Sequence, residues 1–244
     1  MRALCVVFRR EFGSFFSTPL AAVFLVIFLF LCGIFTFNFG GLFERGQADL
    51  RPFFQYHPWL FLFLVPAIAM RIWAEERRLG TIELLMTLPV RLRDLVLGKF
   101  LAAWAFCGVA LLCTIPVWLT VSYLGDPDHG VIAASYLGSF LMAGAFLAIG
   151  SCISALTKNQ VIAFILCVIV CFVMLLIGYP VFLGYLTGWA PDFLVDAVAS
   201  WSFLTHYDAL SRGVIDLRDV LFFASVIGVF LWVNALILDW KKAA

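Results

Sequence analysis

Charged side chains are scarce in this sequence: Asp, Glu, Lys and Arg make up 13% of its 244 residues, whereas 64% are hydrophobic. A soluble domain is typically about 25% charged and about 45–50% apolar. The single core of a water-soluble domain cannot bury that excess of apolar surface. The composition therefore argues against a soluble enzyme, a disordered protein and a nucleic-acid-binding protein, and it indicates a polytopic helical membrane protein.

Recognisable catalytic and nucleotide-binding motifs are also lacking. The chain contains no GxSxG sequence and no GxxxxGK[ST] phosphate loop. Its three histidines, His57, His129 and His206, have no nearby cysteine or HExxH spacing, which favours a structural or interfacial role. The seven cysteines are interpreted as small apolar residues rather than redox or metal sites. We expect no enzyme activity, no metal and no cofactor in this chain.

Six apolar segments approach the roughly 20 residues that a membrane-spanning helix needs. The sequence therefore predicts an all-α polytopic protein with a single transmembrane domain over residues 1–244. Within residues 1–18, the helical spacing of apolar positions at 4–16 predicts an amphipathic helix on the membrane surface. The predicted spans are approximately 19–39, 53–73, 98–124, 131–153, 160–183 and 219–239.

The basic residues predict the orientation. If both termini are on the same side, twelve of the sixteen basic residues lie on that side, which the positive-inside rule makes cytoplasmic. Nine acidic residues lie on the other side. We expect a multi-pass protein of the bacterial inner (cytoplasmic) membrane with both termini in the cytoplasm. The outer segments contain four basic residues, namely Arg45, Arg51, Arg212 and Arg218.

The interiors of the predicted spans contain essentially no ionisable side chains. Charged residues inside a membrane usually mark ion pathways or proton relays. Their scarcity argues against an ion-coupled secondary transporter and a voltage sensor, so another polypeptide should supply the energy. Span four carries small residues four positions apart, which permits a close helix contact within one chain or between two.

One cytoplasmic stretch, residues 71–99, is long enough to carry a function. Gly80 interrupts it, Thr81 is a candidate N-cap, and Glu83 lies in the first turn of a short helix that Pro89 ends. A helix this short is marginal in water, and this one is apolar around most of its circumference. It should be sandwiched between the membrane bundle and a cytoplasmic partner. An ordinary juxtamembrane connection is the alternative.

Residues 75–90, with the sequence EERRLGTIELLMTLPV, resemble the cytoplasmic signature of type-2 ATP-binding-cassette (ABC) exporter permeases. The flanking segments 49–54 and 97–100 agree with this resemblance. Segments 154–160 and 212–219 are similar to the gliding-motility-type branch of these permeases. The resemblance covers nearly the whole chain.

This resemblance implies a coupling helix at 81–88 that docks in a groove of the ATP-binding subunit, with the N-terminal helix as a second contact. ATP and Mg²⁺ would be bound by that partner and not by this chain. We expect the polar contacts from Glu83 and the charged cluster, and the apolar anchors from Ile82, Leu85 and Met86. The predicted contact residues are Arg9, Arg10, Glu75, Glu76, Arg77, Arg78, Gly80, Thr81, Ile82, Glu83, Leu85, Met86, Thr87 and Pro89.

The outer stretch 184–218 contains signals for two short helices. Pro191 and Asp192 can begin one, and Ser202 or Thr205 can begin another that ends near Gly213. The resemblance implies that these are re-entrant helices that close an outer gate. A simple surface loop is the alternative.

The leading hypothesis is a permease subunit of an ABC exporter with a hydrophobic or amphipathic cargo. It would pair with a second permease, identical or different, within membrane lipid, and with ATP-binding subunits, and it would bind no nucleic acid. The alternative is a mechanotransmission or scaffold subunit that acts on a periplasmic accessory protein without transport. A third hypothesis, an ATP-independent channel, predicts no ATP-binding partner.

Overall fold

The structure is a computed structural model, and it describes residues 2–42, 44, 46, 48–87, 90–177, 179, 184, 191 and 200–242. These residues form helices and turns without a strand, which confirms the predicted all-α class. In chain order the helices are α1 (Arg2–Ser17), α2 (Pro19–Ile34) with a π-helical continuation (Phe35–Phe39), α3 (Arg51–Gln55), α4 (His57–Ala69), α5 (Arg71–Arg78), α6 (Thr81–Thr87), α7 (Leu92–Leu112), α8 (Ile115–Leu124), α9 (His129–Leu156), α10 (Gln160–Leu176), α11 (Phe203–Ser211) and α12 (Leu217–Lys242).

Among the described residues, five helical stretches are long and apolar enough to cross a membrane, as expected of a multi-pass protein. They are Ala21–Phe39, His57–Arg78, Leu92–Leu124, His129–Leu156 and Leu217–Lys241. The second stretch runs on to Arg78 instead of ending near residue 73. Helix α10, in the fifth predicted span, has 17 residues, which is the lower limit for a spanning helix. The first of the two predicted outer helices, at Pro191 and Asp192, lies outside the described residues apart from Pro191 itself.

Helix α9 is the centre of the bundle. It is buried along most of its 28 residues and packs against α4, α5, α7, α10, α11 and α12. Its glycines permit this close packing: a Cβ added at Gly150 would lie 2.4 Å from Ala69 Cβ and 2.8 Å from Cys167 Sγ. The small residues of span four therefore form contacts within one chain.

The two ends of the bundle differ in charge. Helix α1 packs along α7, with the rings of Phe15 and Phe106 stacked at 5.1 Å. At the same end, Lys241 Nζ donates to the carbonyl oxygens of Ala155 (3.3 Å) and Leu156 (2.8 Å). The beginning of α1 and the end of α12 therefore lie at the same end of the bundle as the described part of residues 71–99, and we call this the basic end. The opposite end, formed by residues 48–57, 125–131 and 200–219, is called the acidic end.

Candidate functional site at the basic end

The beginning of helix α5 is bonded to α9 through one hydroxyl group. The second spanning stretch is interrupted at Met70, between α4 and α5. The buried Ser154 Oγ of α9 accepts hydrogen bonds from the backbone nitrogens of Trp73 (3.1 Å) and Ala74 (3.0 Å). The same hydroxyl donates to the carbonyl of Met70 at 2.9 Å. Because the amides in the first turn of a helix lack partners within that helix, this serine fixes where α5 begins and how it meets α9.

A buried lysine joins three helices next to the hairpin, the name used here for α5 and α6 together (residues 71–87). Lys99, in α7, is 4% exposed. Its Nζ lies 3.0 Å from Glu76 Oε1 at the end of α5 and 3.2 Å from Glu11 Oε1 of α1. The ammonium also lies 5.5 Å from the centre of the Trp73 ring. A buried ammonium is tolerated only with such compensation, so the lysine requires both carboxylates to stay in place.

The lysine is linked to the short helix α6 through Glu76. The Thr81 hydroxyl, at the first residue of α6, donates to the Glu76 carboxylate and lies 3.3 Å from the Glu76 carbonyl oxygen. Between them Gly80 has φ +72°, a left-handed conformation that favours glycine. A continuous polar chain therefore runs from α6 through Glu76 and Lys99 to Glu11 of the amphipathic helix.

Helix α6 presents different residues inward and outward. Leu85 is 8% exposed and belongs to the core of this chain, and the half-buried Ile82 packs against that core. Glu83, in the first turn, is exposed. The backbones of Met86 and Thr87 are helical, whereas Pro89 lies outside the described residues. Leu85 therefore anchors α6 from within, and Glu83 points outward.

Some of the remaining predicted contact residues form ion pairs within this chain, and others are exposed to solvent. Glu75 makes a two-point ion pair with Arg71 (2.7 and 3.1 Å) and lies 3.9 Å from Arg78. Arg78 is exposed and Arg77 is half-buried. Arg9 and Arg10 of α1 are exposed at the same end of the bundle. The structure thus brings α1 and the hairpin together on one surface.

A cavity of about 470 Å³ separates α1 from the hairpin. Phe15, Ile72 and Leu85 are its apolar lining residues, and Glu11, Glu76 and Lys99 are its charged ones.

Sequence analysis did not identify Glu11, Lys99 or Ser154 as site residues. Glu11 is the one acidic residue of the N-terminal helix, and Lys99 begins an apolar run. A charged residue in an otherwise apolar or basic segment was therefore the sequence feature that could have indicated both.

The acidic end contains a second buried polar group, centred on Tyr207 of α11. Its hydroxyl donates to the carbonyl of Phe54 at 2.8 Å and lies 3.1 Å from Ser139 Oγ of α9. Burial raises the pKa of the Tyr207 phenol well above its usual value, so the group remains a neutral donor. Helix α11 is thereby attached to both α3 and α9.

The same serine contacts a buried histidine. Ser139 Oγ lies 2.8 Å from His57 Nδ1 and 2.9 Å from the carbonyl oxygen of Ser135, one turn earlier in α9. The other ring nitrogen, Nε2, lies 4.0 Å from Cys32 Sγ. His57 therefore joins α2, α4 and α9, in agreement with the structural role predicted for it.

His206 attaches α11 to the last span. Its Nδ1 lies 2.6 Å from Asp219 Oδ1 and its Nε2 lies 3.0 Å from the Ser200 carbonyl oxygen. Ser202 accepts from the Thr205 amide at 3.1 Å, so α11 begins at the first of the two predicted starts, and Gly213, with φ +84°, follows the helix end. Among the described residues there is no group of three His, Cys, Asp or Glu side chains that could hold a metal.

The fold and this site define a multi-pass membrane protein with an amphipathic helix and a short, internally anchored hairpin helix at its basic end. A family model described as ABC-2 family transporter protein matches residues 59–238. The chain therefore belongs to the ABC-2 transporter family. Permeases of this family are membrane transport components without an ATPase site of their own, and membership implies an ATP-binding cassette partner. No curated protein matches the sequence significantly.

Proposed function

We propose that this chain is the permease subunit of an ATP-driven exporter and that α6 is its coupling helix. The observation that carries the proposal is the two-sided arrangement of α6. Leu85 and the Thr81–Glu76 hydrogen bond fix the helix from behind, while Glu83 stays exposed. In this proposal Glu83, Arg78, Arg9 and Arg10 contact the ATP-binding subunit, which binds ATP and Mg²⁺.

Motion would be transmitted through the contacts beneath the hairpin. When the ATP-binding subunits close, they would displace α6, and Glu76 would carry that displacement to Lys99 of α7 and Glu11 of α1. Ser154 would carry it from α5 to α9, the centre of the bundle. Because a buried ion pair loses much free energy when one partner leaves, these helices would move together.

The wider setting is part of the same proposal. The basic end and both termini would be cytoplasmic in a bacterial inner membrane, and the chain would have six spans and belong to the gliding-motility-type branch. A second permease, identical or different, would complete the pathway. The scarcity of charge in the spans favours a hydrophobic or amphipathic cargo.

Charge reversal on α6 tests the coupling assignment. The permease would be co-expressed with its ATP-binding subunit as wild type, as Glu83→Arg, and as the matched control Asp239→Arg, an exposed acid elsewhere at the basic end. We expect Glu83→Arg to weaken co-purification and ATPase stimulation about tenfold or more, because an opposed like charge at an interface costs several kcal/mol. Equal behaviour of the two variants would refute the assignment.

A second measurement separates export from force transmission. The complex would be reconstituted in proteoliposomes, and the ATP-dependent movement of a fluorescent phospholipid between leaflets would be followed together with ATP hydrolysis. Movement that needs hydrolysis supports an exporter of amphipathic cargo. Active hydrolysis without movement of any amphiphile tested would favour the mechanotransmission alternative.

A further inference from the structure

Two cavities at the acidic end share a pair of arginines. The larger, of about 850 Å³, lies between α11 and the helices α3 and α4. The smaller, of about 270 Å³, lies beside residues 48–51 and 127–132. Arg51 and Arg212 line both of them. The larger cavity falls within the roughly 300–1,000 Å³ that is usual for small-molecule sites.

The charge of the larger cavity is opposite to that of its surroundings. Arg51 and Arg212 are two of the four basic residues that the sequence places on this side, against nine acidic ones. Arg212 forms an ion pair with Asp208, the one acidic residue in the described lining. The Arg51 guanidinium has no ion pair or hydrogen bond with any residue that the structure describes. Within the part of the chain that the structure describes, the Arg51 guanidinium is therefore available to bind an anion.

The larger cavity also has apolar lining residues. Pro58 and Trp59, in the first turn of a spanning helix, line it together with Leu204 and Ala209 of α11. Tryptophan is enriched where a membrane helix meets the aqueous boundary. The cavity thus combines apolar residues beside the start of a spanning helix with two arginines. This combination matches a molecule with an apolar chain and an anionic headgroup.

We propose that this cavity is a binding site for an anionic amphiphile. Arg51 and Arg212 bind its phosphate-type headgroup, because the planar guanidinium pairs with oxyanions through two hydrogen bonds. Trp59 and Leu204 contact its apolar chain. The proposal goes beyond ATP coupling: binding here needs neither α6 nor the ATP-binding subunit, so it can fail or succeed independently of the function proposed above.

The test uses the purified full-length chain in detergent and short-chain lipids as probes. Dioctanoyl phosphatidylglycerol would be titrated while native mass spectrometry counts the bound molecules. Dioctanoyl phosphatidylcholine has the same chains without net charge, and inorganic phosphate has the charge without the chains. The variants are Arg51→Gln and Arg212→Gln. The matched control is Arg218→Gln, because Arg218 is exposed on the same side and lines neither cavity.

We expect saturable binding of phosphatidylglycerol that Arg51→Gln weakens about tenfold, the usual order for a hydrogen bond to a charged group. Arg212→Gln should also weaken it, and Arg218→Gln should leave it unchanged. Phosphatidylcholine should bind at least about tenfold more weakly. Equal loss in Arg218→Gln, equal binding of phosphatidylcholine, or displacement of the lipid by millimolar phosphate would each overturn the proposal, the last by indicating a site for a water-soluble anion.

Discussion

The ammonium group of Lys99 lies 3.2 Å from the carboxylate of Glu11, which joins the beginning of α7 to the amphipathic helix α1. Glu76 completes the group from the end of α5. The side chains of Glu11 and Glu76 are each 18% exposed, so solvent compensates their charges only weakly. This ion-paired cluster joins the three helices α1, α5 and α7 to one another.

Replacing the lysine should therefore destabilise the bundle and uncouple it. Lys99→Met leaves two mostly buried carboxylates close together without a cation, and breaking a buried pair in this way costs about 3 kcal/mol or more. We expect a lower thermal midpoint of the detergent-solubilised chain and a loss of ATPase stimulation in the complex. Arg93→Met, an exposed change in the same helix, is the control. If both variants have the same midpoint, the cluster does not fasten the helices.

Hydropathy and motif spacing were sufficient to predict the helical class and the position of α6, and they narrowed the start of α11 to Ser202 or Thr205. They could not reveal Lys99 as a partner of Glu11, because the two residues are brought together only by the packing of α1 on α7. Ser154 illustrates the same limit, since a serine in an apolar helix most often bonds within its own helix. Leu85 was assigned to the partner interface because an apolar side chain on a short helix does not indicate which surface it faces.

The second prediction concerns Ser154. Ser154→Ala removes the acceptor of the Trp73 and Ala74 amides, and two buried donors then lack partners. An unpaired buried donor costs about 1–3 kcal/mol, so the thermal midpoint should fall by several degrees. Ser225→Ala, which removes an exposed hydroxyl bonded only within its own helix, should leave it unchanged. Faster amide hydrogen exchange confined to the beginning of α5 would locate the loss.

The third prediction compares two glycines in spanning helices. Gly150→Ala places a methyl group 2.4 Å from Ala69 Cβ, so the two helices must shift apart. Overpacking of this kind costs about 1–3 kcal/mol. At Gly228 no atom lies within 4 Å of an added Cβ. Gly228→Ala should therefore be neutral or slightly stabilising, because alanine favours a helix by about 1 kcal/mol. Thermal midpoints that fall equally in both variants would contradict the packing of α4 on α9.

The last prediction concerns the attachment of α11. Tyr207→Phe keeps the ring but removes the hydroxyl that donates to the Phe54 carbonyl and contacts Ser139. The carbonyl is then buried without its donor, and the loss should be about 1–3 kcal/mol. Because the contact joins α11 to α3 and α9, its removal should act first on α11.

We therefore expect faster hydrogen exchange of the amides in residues 203–211 while the exchange of α9 stays slow. Tyr123→Phe is the control, because Tyr123 is 91% exposed and its hydroxyl can be replaced by water contacts. Since the His206–Asp219 contact still joins α11 to α12 in Tyr207→Phe, the helix should loosen without unfolding. Unchanged exchange in α11 would mean that His206 alone suffices to keep it in place.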